Sequence, residues 1–236
     1  MQNKHRNLAQ LILLAAVATF PATAPHAASD ASGDADHSDW PAWADEESAL
    51  LQRAAQVNEG ELTFLSEPGG KPLHHHSNHI TIGEDSVGEG WVRLEQCHTH
   101  LDRVPALQIV FNARNTRALE VTAAENVGQA YAEGHTVQLR DVGDGSRVCI
   151  RARSRALWKT DDGGVELRNG PFMRRFLDGY YPLRLSLRID YPDAWRLSDF
   201  SPDEQTGFSP RQNPGRVELD TVFEGRLNTR FRFRTE

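Results

Sequence analysis

From Glu61 onward, apolar and polar residues take turns with a period of two. Leu183, Leu185, Leu187 and Ile189 alternate with Arg184, Ser186, Arg188 and Asp190. Phe231 and Phe233 sit between Arg230, Arg232 and Arg234, and Val217, Leu219 and Thr221 flank Glu218 and Asp220. Successive side chains of an extended backbone point to opposite faces, so each run predicts a strand with one face buried and one wet. Val137 and Leu139, then Val148 and Ile150, continue the pattern on either side of Gly143-Asp144-Gly145, a turn signal. Glycine, proline and asparagine recur at short intervals from Gly83 to Gly225. Many short strands with such punctuation predict a mostly β domain over 61–236, an antiparallel β-sandwich of the Ig-like or jelly-roll-like kind. There is no internal repeat, and no spacing regular enough to require a closed barrel.

Two stretches break the alternation. Ala44–Val57 (ADEESALLQRAAQV) places Asp45, Glu46 and Glu47 where a helix start favours negative charge. Ala49, Leu50, Ala54 and Val57 follow at near-helical spacing, which predicts a short N-terminal helix in an arm that also carries Trp40 and Trp43. Gly170–Pro182 (GPFMRRFLDGYYP) is dense in aromatic residues. It reads as a loop or helical turn plugging the core, with an aromatic binding lip as the sharper alternative.

The first residues change the picture from a generic β domain to an exported one. Lys4 and Arg6 precede the apolar run Leu11–Phe20, which is too short to span a bilayer, and Pro21–Ala28 supplies small residues suited to cleavage. Residues 1–27 therefore read as a signal peptide and 28–39 (ASDASGDADHSD) as a disordered acidic linker. The expected location is periplasmic or secreted, with no transmembrane segment in the mature chain. Loss of Lys4 and Arg6 takes the formal charge from −7 to −9. That balance argues against nucleic acid as a partner and leaves another envelope or membrane protein as the expected one. In an oxidising compartment the two cysteines, Cys97 and Cys149, predict one intramolecular disulfide.

The candidate chemistry is imidazole. Six of the ten histidines lie between residues 74 and 100: His74, His75, His76, His79, His98 and His100. His98 and His100 end a strand-like segment, Trp91–Cys97, where residues two apart share a face at a separation two ligands of one ion can bridge. Asp102 has the same parity, as an oxygen ligand or an orienting group, and Cys97 has the opposite one. A short strand at Ile80–Ile82, paired with 91–97 through a turn at 83–90, would set His79 opposite His98 or His100. Such a cluster suits Cu(II) or zinc as the cofactor, and the expected function is buffering or delivery of that ion. None of the common hydrolase, nucleotide-binding or haem-attachment motifs occurs. The alternatives are an envelope interaction module with incidental histidines and, further back, a zinc-dependent hydrolase using Glu84, Glu95 or Asp102 to activate water.

Overall fold

The computed structural model describes residues 58–66, 70 and 72–235. The expected signal peptide (1–27), the expected acidic linker (28–39), Trp40, Trp43 and the predicted helix Ala44–Val57 lie outside the described residues. All described residues belong to one unit, Glu46–Glu236.

Strands dominate. In chain order they are β1 (Thr63–Phe64), β2 (His75–Thr81), helix α1 (Ser86–Glu89), β3 (Trp91–Thr99), β4 (Val104–Val110), β5 (Thr116–Glu133), β6 (Thr136–Arg155) and β7 (Leu157–Lys159). There follow β8 (Val165–Phe172), β9 (Arg174–Phe176), β10 (Gly179–Tyr181), β11 (Leu183–Asp190), β12 (Arg196–Ser201), β13 (Arg211–Asn213), β14 (Arg216–Glu224) and β15 (Leu227–Arg234). The larger sheet runs β1-β14-β11-β2-β3-β6-β4, with β13 added to β14 and β5 to β6. A second sheet runs β12-β15-β8-β7, and β9 and β10 form a hairpin of their own.

The period-two runs fall where the alternation puts them. β11 alternates buried and partly exposed residues along its length, with Leu183, Leu185, Leu187 and Ile189 inside. Its inner residues join Ile80, Leu94, Val217 and Leu219 of the same sheet and Val165, Leu167, Phe231 and Phe233 of the second sheet in one apolar cluster. Each such side chain contributes roughly 1.5–3 kcal/mol on leaving water, which makes this shared cluster the main stabilising feature. A second, smaller cluster gathers Leu101, Val137, Leu139, Val142, Val148 and Ile150.

Four details depart from the sequence expectations. The pairing is mixed rather than wholly antiparallel, because β2 inserts between β3 and β11 and runs parallel to β11. β2 begins at His75 rather than Ile80, so three of the histidines, His75, His76 and His79, are inside the strand; pairing on both sides extends it into residues of low strand propensity. Gly143-Asp144-Gly145 is no hairpin turn. β6 runs straight through it, and the register with β5 steps from Glu125↔Arg147 to Val127↔Val142, the extra residues forming a bulge beside the left-handed Asp141 and Gly145. Gly170–Pro182 is neither loop nor helical turn but the end of β8 followed by the β9–β10 hairpin; its Phe172 is buried in the larger cluster and Tyr180 is buried too, while the connecting Leu177 is fully exposed.

Candidate functional site: a buried histidine cluster

Strand alternation divides the predicted ligands between two faces of the larger sheet. In register, Leu185 of β11 lies beside His76 of β2, which pairs with His98 of β3, which pairs with Val148 of β6. One step along, Leu187, Asn78, Gln96 and Ile150 form the next row, and Ile189, Ile80, Leu94 and Ala152 the one after. All these residues are buried. The histidines thus stand in the apolar inner face, as a polar island with Gln96 and Asn78. The cross-strand partner of His98 is His76; the expected partner, His79, pairs with Glu95. Because Thr81 pairs with Arg93, each step back along β2 is one step forward along β3, so position 79 meets 95 and position 98 meets 76.

His74, just before β2, completes the inner group. Its Nε2 lies 2.9 Å from His98 Nδ1. The rings of His76 and His98 are 4.4 Å apart between centroids, and Phe172 of β8 meets His76 edge-on at 5.2 Å. The Gln96 amide nitrogen is 2.6 Å from His98 Nε2. An amide nitrogen only donates, so His98 Nε2 accepts and its proton sits on Nδ1, from where it is donated to His74 Nε2. His76 Nε2 and Asn78 Oδ1 are buried with no hydrogen-bond partner. Ser146 Oγ, Asn169 Nδ2, Thr229 Oγ1 and Arg232 Nε are likewise buried without a partner; His76 and Asn78 differ in standing two residues apart on one face of one strand.

Burial also sets the protonation state. Desolvation is the largest influence on all three histidines and penalises the imidazolium. His74 is pushed down to about 3, helped by His76 and Arg174, and His76 and His98 fall well below the ordinary histidine value, each repelled by its neighbours. Three neutral imidazoles therefore face one another at neutral pH. Neutral imidazole is the form that binds metals.

The remaining candidates are placed elsewhere. His75 and His79 occupy the alternate, partly exposed positions of β2. His75 Nε2 meets Ser186 Oγ at 2.8 Å, and Ser186 in turn donates to Asp220 at 3.0 Å. The serine stands between histidine and carboxylate, so this is not the order of a nucleophilic triad, in which histidine is the middle member. His79 Nε2 meets Asp190 at 2.7 Å, and Arg188 and Arg216 share the same carboxylate. His100 does not share a face with His98 as expected. β3 ends at Thr99, and His100 turns into the left-handed region (φ 55°), exposed on the wall of a surface cavity with Pro72, Leu101, Asp144 and Gly145. Asp102 is held by Arg174, Nη2 to Oδ2 at 2.7 Å. Cys97 and Cys149, side by side on β3 and β6, form a disulfide whose parity is opposite to that of His98. Gln96 and Asn78 were missed in the sequence, though their two-residue spacing from His98 and His76 pointed to them.

Among the described residues, no three His, Cys, Asp or Glu side chains stand ready around one point as a metal site. His74 and His98 are engaged with each other instead. Their 2.9 Å nitrogen separation is nonetheless about what two bonds of 2.0–2.1 Å at a right angle subtend.

No protein family matches this sequence, and no curated protein does. Among solved structures, the chain is similar to an M1 zinc metallopeptidase from Deinococcus radiodurans, at 14% identity and a TM-score of 0.40, covering 74% of this chain and 43% of that one. A form of the Deinococcus radiodurans enzyme bound to a Tyr-Ser-Ala substrate matches at 14% identity and a TM-score of 0.39, over 67% of this chain and 42% of that one. A two-domain M1 zinc metallopeptidase bound to L-tryptophan matches at 13% identity and 0.39, over 74% and 44%. The chain spans less than half the length of these structures, and likeness of this degree carries no functional argument.

Proposed function

We propose that the chain is an exported β protein whose His74–His76–His98 cluster takes up one transition-metal ion, Cu(II) or zinc, for buffering or for delivery to an envelope or membrane partner. The two sheets are read as the layers of a sandwich, with the cluster set in the inner face of the larger one. The observation that carries the reading is the conjunction of three neutral, buried imidazoles with an unpartnered His76 Nε2 among them. Apolar residues of matching size would fill this space without leaving orphaned polar atoms. Binding is favoured over hydrolysis, since Asp102 is held by Arg174 and Glu95 is exposed on the opposite side of β3.

An ion bound only by the folded chain raises its melting temperature as metal concentration rises past Kd. Metal-free protein titrated with zinc and, separately, Cu(II) is expected to show saturable stabilisation with one ion per chain. His75→Ala/His79→Ala should keep it, and His76→Ala/His98→Ala, checked for folding by circular dichroism, should lose it. The proposal fails if the wild type gains no stability from either ion.

A second reading, an interaction module with incidental histidines, draws on one observation. The connection of the β9–β10 hairpin carries Leu177 fully exposed, and Met173, just before β9 in the chain, is exposed as well. It predicts that Leu177→Asp abolishes partner capture while metal uptake stays as it was.

A further inference from the structure

The larger sheet has two edge strands beside β6, and they are protected to different degrees. β5 carries Arg117, Glu120, Glu125 and Glu133, has left-handed residues at Ala118 and Asn126, and shifts register against β6 three times. Charges and bulges of this kind prevent a further strand from adding. β4, Val-Pro-Ala-Leu-Gln-Ile-Val, has no charged residue and keeps one unbroken register with β6 from Val104 to Val110. Among the described residues its other edge has no neighbour, and Val110 is 63% exposed. Pro105, near its start, is its one blunting feature. Val104, Leu107 and Ile109 also pack against the second apolar cluster, so a strand added here would extend a core that already exists.

We propose that β4 is the contact edge of a homodimer, in which it pairs antiparallel with β4 of a second copy. The strand is its own complement. A pairing centred on Leu107 sets Val104 opposite Val110 and Ala106 opposite Gln108, apolar against apolar at both ends. The chain carries a formal charge of −7, yet no like charges meet at this edge. An edge without charge has nothing with which to select a charged partner; backbone hydrogen bonds and aliphatic side chains are all it offers, and a second copy supplies both. The symmetry is the closed two-fold kind, in which the same patch serves both chains.

Sedimentation velocity on the full chain, from low micromolar to several hundred micromolar, tests this. The wild type is expected to move from the mass of one chain toward that of two. Ala106→Lys/Gln108→Lys, both at exposed positions, places lysine against lysine across the pairing and should weaken association at least about tenfold, with an unchanged circular dichroism spectrum. Ala124→Lys/Gln129→Lys, exposed on β5, should associate as the wild type does. A wild type that stays monomeric throughout, even one that captures some other protein, overturns the proposal. So does undiminished association of the β4 lysine variant.

Discussion

At the scale of single residues, the histidines are sorted by parity rather than by position in the cluster. His76 and His98 are buried and lose their affinity for protons; His75 and His79, one step away, meet Ser186 and Asp190 at the surface. This has a consequence for stability. An unfolded histidine binds a proton below about pH 6.5, whereas His74 in the fold does so only near 3, and His76 and His98 also far below their ordinary value. Between those limits the unfolded chain holds more protons, so stability is fully present above about pH 6.5 and is lost as pH falls, at up to about 1.4 kcal/mol per pH unit for each residue. Urea unfolding of the metal-free protein should show this decline already between neutral pH and about pH 5, before carboxylates such as Asp220, whose depressed values act below about 4, begin to contribute. His98→Leu should flatten the decline by about one residue's share. Stability that is level from neutral pH to about 5 would contradict the buried, neutral assignment.

At the scale of elements, what was legible in the sequence and what was not separate cleanly. Leu183–Ile189 and Phe231–Phe233 announce themselves because alternation is a local signal, and Cys97 and Cys149 because a chain with two cysteines allows a single intramolecular pair. The extent of β2 was not legible: His-His-Ser-Asn-His has no β-branched or aromatic strand former, and only its two neighbours, β3 and β11, make it extended. The register that pairs His76 with His98 follows from that, as does the end of β3 at Thr99, which takes His100 off the face of His98. Asp144 and its flanking glycines carry a turn signal that β6 absorbs as a bulge. The disulfide joins adjacent positions of β3 and β6 and closes a separation of 52 residues. By chain-entropy reasoning such a loop adds about 4 kcal/mol. Cys97→Ala/Cys149→Ala should lower the stability measured by denaturant unfolding by a large part of that amount while leaving the metal response proposed for the cluster unchanged, since the bond lies on the other face from His98.

For the whole molecule, two sheets contribute side chains to one apolar cluster, and the polar island sits within the inner face that feeds it. The central position of β11 makes it the most sensitive element. Leu185→Ala, at a position with no exposure and beside His76, should destabilise the chain by roughly 2–5 kcal/mol in equilibrium unfolding. An effect below about 1 kcal/mol would mean that the inner face is not packed as described.

The proposed function requires that three imidazoles in that inner face act as one ligand set. Elemental analysis of tag-free protein purified without chelators reads this directly. The expected result is about one copper or zinc ion per chain in the wild type and in His75→Ala/His79→Ala, and none in folded His76→Ala/His98→Ala. A wild type without stoichiometric metal, or an inner-face variant that retains it, would contradict the claim.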